Sequence, residues 1–176
     1  MSKDKNNSNA GKAAVRSLAV GLIMVGYAAS ALAAGTISVK EEVELAAPPS
    51  KTWATINDFR GWQNWHPAFA STEITKGHGN AKGSVRVLTT RDGAKFIEEL
   101  VSYDAVAHSF QYRILESPLP ISGYVSTIEV KDAKEGSRII WSSTFSVNPG
   151  ASDEEIRKTI AAVYRAGLDS LKSTVK

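Results

Sequence analysis

From residue 37 the chain alternates apolar and polar positions. Within "TISVKEEVEL", Ile37, Val39, Val43 and Leu45 fall on one face, which Glu41 shares. Alternation with a period of two is typical of a half-buried β-strand. We therefore expect the first element to be a strand.

Two short helices are predicted next. In "APPSKTWATINDF", Pro48 and Pro49 suit a helix start, where a missing N–H group costs no hydrogen bond. Trp53 and Ile56 then lie three positions apart on one helical face. The pattern predicts one helix here and a second around residues 58–64.

Strand patterns separated by turn signals follow from residue 70. The Gly-rich "KGHGNAKG", the hairpin signal "RDG" and the loop "KDAKEGS" divide the apolar runs. Strands are predicted near 70–75, 83–90, 94–103, 108–116, 121–131 and 137–147. The "SPLP" segment predicts a stiff, protruding loop, because proline cannot donate a hydrogen bond to a sheet.

A long amphipathic helix is predicted at the end of the chain. Ser152 followed by Glu155 is a capping-box pattern. Helical spacing continues through Ile156, Ile160, Val163, Tyr164, Gly167, Leu168 and Leu171. Together the elements predict an α+β fold, in which a curved antiparallel sheet of about seven strands wraps around the long C-terminal helix. If the helix leaves part of the concave face uncovered, the space becomes an apolar pocket of the kind that binds small molecules.

Residues 1–33 show the three-part pattern of a secretory signal peptide. A basic stretch precedes the apolar run "LAVGLIMVGYAA", and the small-x-small tripeptide "ALA" ends at Ala33. The alternative is a retained membrane anchor, but the apolar run is shorter than the roughly 20 residues that a spanning helix needs. We expect cleavage after Ala33 and a single periplasmic domain over residues 34–176, without stable membrane insertion.

Composition narrows the possible chemistry. The chain has no cysteine, which excludes disulfides, thiol catalysis and thiolate metal ligands. The signal segment holds four of the 21 basic and one of the 18 acidic residues, so the remaining domain has 17 of each. A neutral domain gives no reason to expect nucleic-acid binding, which needs a basic patch. His66, His78 and His108 are too far apart in sequence to form a ligand pair, so no metal site and no cofactor are predicted.

Seven motifs carry a family resemblance: "APPSKTWATINDF", "WHPAF", "GSVRVL", "FIEELVSYD", "FQYRILESPLPISGY", "SRIIWSSTF" and "AGLDSLK". In this order they resemble the Bet v 1-like or START-like (SRPBCC) superfamily, in particular its polyketide cyclase/dehydrase and lipid-transport branch. The resemblance spans nearly all of the chain after residue 33. It implies a helix-grip fold with a cavity for a hydrophobic or amphipathic small molecule.

A narrower resemblance rests on "WHPA", "VLTTRDGAKFIEELVS" and "WSSTF". These segments are most similar to exported accessory proteins of bacterial methanol oxidation, of the MxaD type. That likeness implies that the partners are methanol dehydrogenase and its cytochrome, and that the protein assists electron transfer between them.

His66 is the first candidate site residue. In related plant hormone receptors the residue after the aromatic of this segment lines the ligand cavity, so the resemblance puts His66 at the cavity mouth. There an imidazole would offer a donor, an acceptor and a charge that switches near neutral pH. The alternative is a histidine held by hydrogen bonds beside Trp65, with a purely structural role.

Arg86 and Glu98 are the second candidate. Counting by two places Arg86 on a face with Leu88, and Glu98 on a face with Leu100. The resemblance turns both faces toward the cavity, where a mutual ion pair would relieve the cost of burying unpaired charges. The two residues either orient a ligand's polar end or form a structural pair.

The same resemblance gives further cavity candidates. They are Leu88, Tyr112, Ile114, Leu119, Tyr124, Trp141, Tyr164 and Leu168. Buried Tyr and Trp side chains need partners for their O–H and N–H groups, so these residues bond either to a ligand or to one another.

The sequence thus predicts a non-catalytic accessory protein with a cavity for a hydrophobic ligand or a protein partner. Three alternatives remain open. One is a cyclase or dehydratase that uses His66 or Glu98 as acid or base. Another is a carrier of lipids or other hydrophobic small molecules. The third is an interaction protein whose cavity is filled by its own side chains.

Overall fold

The computed structural model describes residues 36–176, so the predicted signal peptide lies outside the described residues. Residues 36–176 form seven strands and two α-helices. The strands are β1 (Ile37–Leu45), β2 (Phe69–Lys76), β3 (Val85–Thr90), β4 (Lys95–Asp104), β5 (Ser109–Glu116), β6 (Ile121–Asp132) and β7 (Ser137–Val147). The helices are α1 (Pro49–Ile56), a short 3-10 helix (Trp62–Asn64) and α2 (Asp153–Thr174).

All seven strands form one antiparallel sheet in the order β1-β7-β6-β5-β4-β3-β2. Strands β2 to β7 follow one another as a meander, and β1 returns to pair with β7 at the far edge. Helix α2 contacts β1 and β7. The predicted helix-grip α+β fold and its strand positions are therefore confirmed.

Strand β1 has the alternating burial that its sequence predicts. Ile37, Val39, Val43 and Leu45 are buried, while most of the polar positions between them are exposed. Glu41 lies on the apolar face, and its carboxylate forms an ion pair with Arg165 of α2. This pair ties the edge strand to the helix that closes the sheet.

The second predicted helix is shorter than expected. Residues 58–64 were predicted as a helix, but only the single 3-10 turn Trp62–Asn64 forms. Two side chains take up backbone N–H groups before it: Asp58 Oδ1 accepts from the N–H of Arg60 (2.9 Å) and Asn80 Oδ1 accepts from that of Phe59 (2.9 Å). Such side-chain bonds compete with helix formation.

Helix α2 begins with Ser152 as its N-cap, at the position that the capping-box pattern predicts. The backbone N–H of Glu155 donates to Ser152 Oγ at 3.4 Å. Its buried face consists of Ile156, Ile160, Tyr164, Gly167, Leu168 and Leu171. Within residues 36–176, no helix is long and apolar enough to cross a membrane.

A candidate apolar ligand cavity

A cavity of about 100 Å³ lies between the concave face of the sheet and helix α2. Its wall is almost entirely aromatic and aliphatic, with Glu98 as the charged group. The lining residues are Trp62, Ala68, Phe69, Thr90, Phe96, Glu98, Tyr112, Ile114, Leu119, Ile121, Tyr124, Trp141, Ile160, Val163 and Tyr164.

Seven of the eleven residues predicted for the cavity lie in its wall. They are Glu98, Tyr112, Ile114, Leu119, Tyr124, Trp141 and Tyr164. The other four, His66, Arg86, Leu88 and Leu168, are fully buried next to the cavity without lining it. Counting by two grouped the residues of each strand face and the family resemblance indicated which face meets the cavity, but neither could tell which residues on those faces other side chains cover.

His66 is not at the cavity mouth, which corrects the first of its two interpretations. The side chain is 1 % exposed and packs against Phe69, with the ring centroids 4.6 Å apart. Its Nε2–H donates to the carbonyl of Val163 (3.0 Å), and Nδ1 accepts from the N–H of Ala68 (3.2 Å). Because one partner is an acceptor and the other a donor, the bonds fix the neutral tautomer.

The burial of His66 is also inconsistent with the expected change of its charge near neutral pH. Desolvation lowers the pKa of His66 from 6.5 to about 4, although the bond to Val163 acts in the opposite direction. The nearby Arg86 lowers this pKa further. The imidazole is therefore neutral at physiological pH and connects the "WHPAF" segment to α2.

Arg86 and Glu98 form the predicted ion pair. They face each other on β3 and β4, and the guanidinium donates from Nε (2.8 Å) and Nη2 (2.6 Å) to Glu98 Oε2. Arg86 is fully buried and Glu98 is 4 % exposed. Burial lowers the pKa of Arg86 and raises that of Glu98, and each partner opposes the change in the other.

Aromatic rings hold the guanidinium of Arg86 in place. Its central carbon lies 3.9 Å from the ring centre of Phe59 and 3.8 Å from that of Trp62. The third nitrogen, Nη1, donates to the carbonyl of Phe59 at 2.8 Å. Stacking on aromatic faces compensates part of the desolvation cost of a buried cation. These contacts hold Arg86 inside the protein and outside the cavity wall.

A tyrosine network, formed by Tyr112, Tyr124, Tyr164 and Ser126, contributes its three tyrosines to the cavity wall. Its hydroxyl groups are linked in sequence, from Tyr112 to Tyr124 (3.5 Å), from Tyr124 to Tyr164, and from Tyr164 to Ser126 (3.3 Å). Burial raises the pKa of all three tyrosines well above its ordinary value, so they are neutral phenols.

The direction of the hydrogen bonds in this network follows from its two ends. Ser126 uses its proton on the carbonyl of Ser142 (2.9 Å), so it accepts from Tyr164. Trp141 Nε1–H donates to Tyr112 and Ser126, both at 3.1 Å. Tyr164 must then accept from Tyr124, and Tyr124 from Tyr112. Each tyrosine hydroxyl proton then has an acceptor inside the network, and the Ser126 proton is bonded to the backbone.

Eight lining residues were not predicted as cavity residues. They are Trp62, Ala68, Phe69, Thr90, Phe96, Ile121, Ile160 and Val163. Phe96 shares the two-residue period of Glu98, and Ile160 and Val163 lie on the apolar stripe of α2, so these three had a sequence signal. Ala68 and Thr90 had none, because neither residue type indicates a cavity.

The described part of the chain has no group of three or more His, Asp or Glu side chains placed to hold a metal ion. The main polar groups of the site are the Arg86–Glu98 pair, the tyrosine network and the indole N–H of Trp62, which is buried without a hydrogen-bond partner among residues 36–176. This arrangement can bind an apolar molecule and form a hydrogen bond to it.

A curved antiparallel sheet that grips a long C-terminal helix over an apolar cavity defines the helix-grip class of proteins. Residues 36–176 match the model of the family described as polyketide cyclase / dehydrase and lipid transport. The chain belongs to this family, within the Bet v 1-like superfamily.

The chain is also similar to several solved structures and to a plant protein. The structure of XoxI from Bacillus cereus is 30 % identical, covers 79 % of this chain and 94 % of its own, and has a TM-score of 0.70. MLP-like protein 423 of Arabidopsis thaliana is 28 % identical over 114 residues, which are 59 % of this chain and 72 % of that protein. Ara h 8.0201, 22 % identical with a TM-score of 0.64 over 79 % and 97 % of the two chains, shares the fold.

Proposed function

We propose that this protein is an exported, non-catalytic accessory protein that binds a small hydrophobic molecule in the cavity under α2. The observation that carries the proposal is the cavity of about 100 Å³ with an almost wholly apolar wall. An apolar cavity of roughly 150 Å³ accepts benzene or xenon in another protein. The ligand is accordingly a compact molecule, on the order of one ring.

A non-catalytic role is supported by the two residues that could act as acid or base. Both nitrogen atoms of His66 are hydrogen-bonded inside the protein, and the ring does not line the cavity. Glu98 reaches the cavity wall, but Arg86 holds one of its oxygens with two hydrogen bonds. The competing proposal, a cyclase or dehydratase, would need Glu98 as the proton-transfer group, and Glu98→Gln would then abolish turnover.

Binding of toluene to the purified protein tests the cavity. We expect saturable binding, measured by NMR titration, with shifts at residues of the cavity wall. Val163→Phe adds a ring to that wall and should weaken binding at least tenfold, whereas Val106→Phe, at a position that is 93 % exposed, should not change it. Absence of saturable binding to the wild-type protein would contradict the proposal, as would equal binding by both variants.

The cellular setting that we propose is periplasmic methanol oxidation, in support of electron transfer from methanol dehydrogenase to its cytochrome. The support is the similarity of "WHPA", "VLTTRDGAKFIEELVS" and "WSSTF" to accessory proteins of that process, together with the signal-peptide pattern of residues 1–33. Adding the protein to the purified dehydrogenase and cytochrome should raise the rate of methanol-dependent cytochrome reduction. An unchanged rate at a molar excess of the protein would refute the proposed role in methanol oxidation and would leave the cavity proposal unaffected.

A further inference from the structure

Glu98 brings an unused hydrogen-bond acceptor to the cavity wall. Both hydrogen bonds from Arg86 go to Oε2, at 2.8 and 2.6 Å, and Oε1 accepts none from any residue in 36–176. Glu98 is 4 % exposed and lines the cavity, so the oxygen that Arg86 leaves free belongs to a group shielded from bulk water. An acceptor that is largely shielded from bulk water and has no protein donor is available to a ligand donor.

The surroundings of this oxygen decide the charge of the matching ligand. Arg86 already neutralises Glu98 and is fully buried without lining the cavity, so the wall presents no cationic group to receive an anion. A cationic ligand would have to give up its hydration for a wall of aromatic and aliphatic side chains and an already neutral ion pair. An uncharged donor avoids both penalties.

The tyrosine network offers a ligand no free donor, because its tyrosine hydroxyl protons all have acceptors within the network. Its oxygens can still accept, but neutral hydroxyl groups are weaker acceptors than a carboxylate oxygen. Two other polar groups of the wall have hydrogen-bonding capacity to spare: the indole N–H of Trp62, which has no acceptor among residues 36–176, and Glu98 Oε1, the charged acceptor.

We propose that the cavity selects small uncharged molecules that carry one O–H or N–H group on an apolar ring, and that this group donates to Glu98 Oε1. The inference rests on the cavity function proposed above and specifies the chemical class of its ligand. Arg86 acts as a positioning residue, because it holds Oε2 and thereby turns Oε1 toward the ligand.

The variant Glu98→Gln replaces the hydrogen-bond acceptor at the Oε1 position by a donor. The Arg86 donors require an acceptor at the Oε2 position, so the amide oxygen must lie there and the amide NH₂ must take the place of Oε1. The cavity wall then presents a donor instead of an acceptor, with almost no change in shape. Glu99→Gln, on the neighbouring position of β4, is the matched control because Glu99 pairs with the exposed Arg113.

Three uncharged probes read out the polarity: phenol, which donates and accepts, anisole, which only accepts, and toluene, which does neither. In the wild-type protein and in Glu99→Gln we expect phenol to bind at least tenfold more tightly than anisole, as a hydrogen bond to a charged acceptor allows. In Glu98→Gln the ratio of the two dissociation constants should fall at least tenfold. Toluene should bind all three proteins alike and shows that the cavity is intact.

The outcomes separate this inference from the function on which it rests. If no probe binds the wild-type protein, the cavity function itself fails. If all three bind but the phenol-to-anisole ratio is the same in Glu98→Gln, the assignment of Glu98 is wrong while the cavity function stands. Benzylammonium and benzoate should bind at least tenfold more weakly than phenol, and tighter binding of either would overturn the selection for uncharged ligands. If Glu98→Gln does not fold, the wild-type order of phenol and anisole still decides the question.

Discussion

At the scale of single residues, the most consequential feature is a charge pair buried in an apolar core. Removing Arg86 and Glu98 from water costs several kcal/mol for each ion, and only good geometry recovers it. Here the geometry consists of two bonds to one carboxylate oxygen, a third bond to a backbone carbonyl and two aromatic rings that face the guanidinium. Each partner is therefore needed mainly because the other is present.

A double-mutant cycle tests this mutual dependence. Arg86→Met or Glu98→Met alone should lower the free energy of unfolding by about 3–5 kcal/mol, because an uncompensated buried charge remains. The double variant should lose less than the sum of the two, with a coupling of about 0.5–3 kcal/mol in denaturant unfolding. The same cycle on the exposed pair Arg113 and Glu99 should give at most about 1 kcal/mol. Strictly additive losses at Arg86 and Glu98 would contradict the account.

His66 gives a prediction about pH. Its pKa is about 4 in the folded protein and near 6.5 when unfolded, so the unfolded state binds more protons between these values. His66 therefore contributes stability that is fully present above about pH 6.5 and is lost as the pH falls toward 4, in total about 3 kcal/mol.

Unfolding free energies measured from pH 7 to pH 4 check the contribution of His66. Whatever its overall stability, His66→Gln should show a shallower decline over this window than the wild-type protein. His78→Gln, at an exposed position, should retain the wild-type slope. Parallel curves for the wild-type protein and His66→Gln would mean that His66 is not buried in the neutral form.

At the scale of elements, the sequence predicted every strand and the long helix because each has a strong period and clear turn residues. The prediction of a full helix over residues 58–64 was wrong. Asn80, which is distant in sequence, accepts a hydrogen bond from the backbone of this segment, and no local sequence pattern reveals that contact. The sequence also predicted the pairing of Arg86 with Glu98 through their faces. It could not reveal that Phe59 and Trp62 cover Arg86, since those residues come from the irregular segment after α1.

The approach of α2 to the "WHPAF" segment depends on Gly167. A Cβ atom at this position would lie 2.6 Å from His66 Cδ2 and 3.0 Å from Trp65 Cζ3, and both rings are buried. In an exposed helix Gly→Ala stabilises by about 1 kcal/mol, but overpacking a core costs about 1–3 kcal/mol. We expect Gly167→Ala to lower the unfolding free energy by about 1–2 kcal/mol and to do so less in a His66→Ala background. A more stable Gly167→Ala protein would show that the helix does not pack so closely.

At the scale of the whole molecule, the fold was predictable and the cavity volume was not. The order of strands and helices indicates a sheet that grips a helix, and seven of the predicted residues do line the cavity. Whether space remains depends on how far the side chains of α2 reach into the concave face. That distance depends on side-chain packing at the ångström level, which the periodicity of the sequence does not predict.

Export is the second property of the whole chain that an experiment can test. The "ALA" tripeptide after the apolar run predicts that the mature protein begins at or near Ala34. N-terminal sequencing of the protein from the periplasmic fraction should find this start. An intact Met1 on membrane-bound protein would instead indicate a retained anchor.

The central claim is that the cavity between the sheet and α2 binds an apolar ligand. Xenon tests it most directly, because an atom of this size enters apolar protein cavities and scatters X-rays anomalously. In crystals under xenon pressure we predict an anomalous peak inside the cavity, between Trp62, Tyr124 and Tyr164. The peak should be absent from crystals of Val163→Phe. A map with no xenon between the sheet and α2, and with side chains closed over that space, would contradict the claim and leave a protein whose core is filled by its own residues.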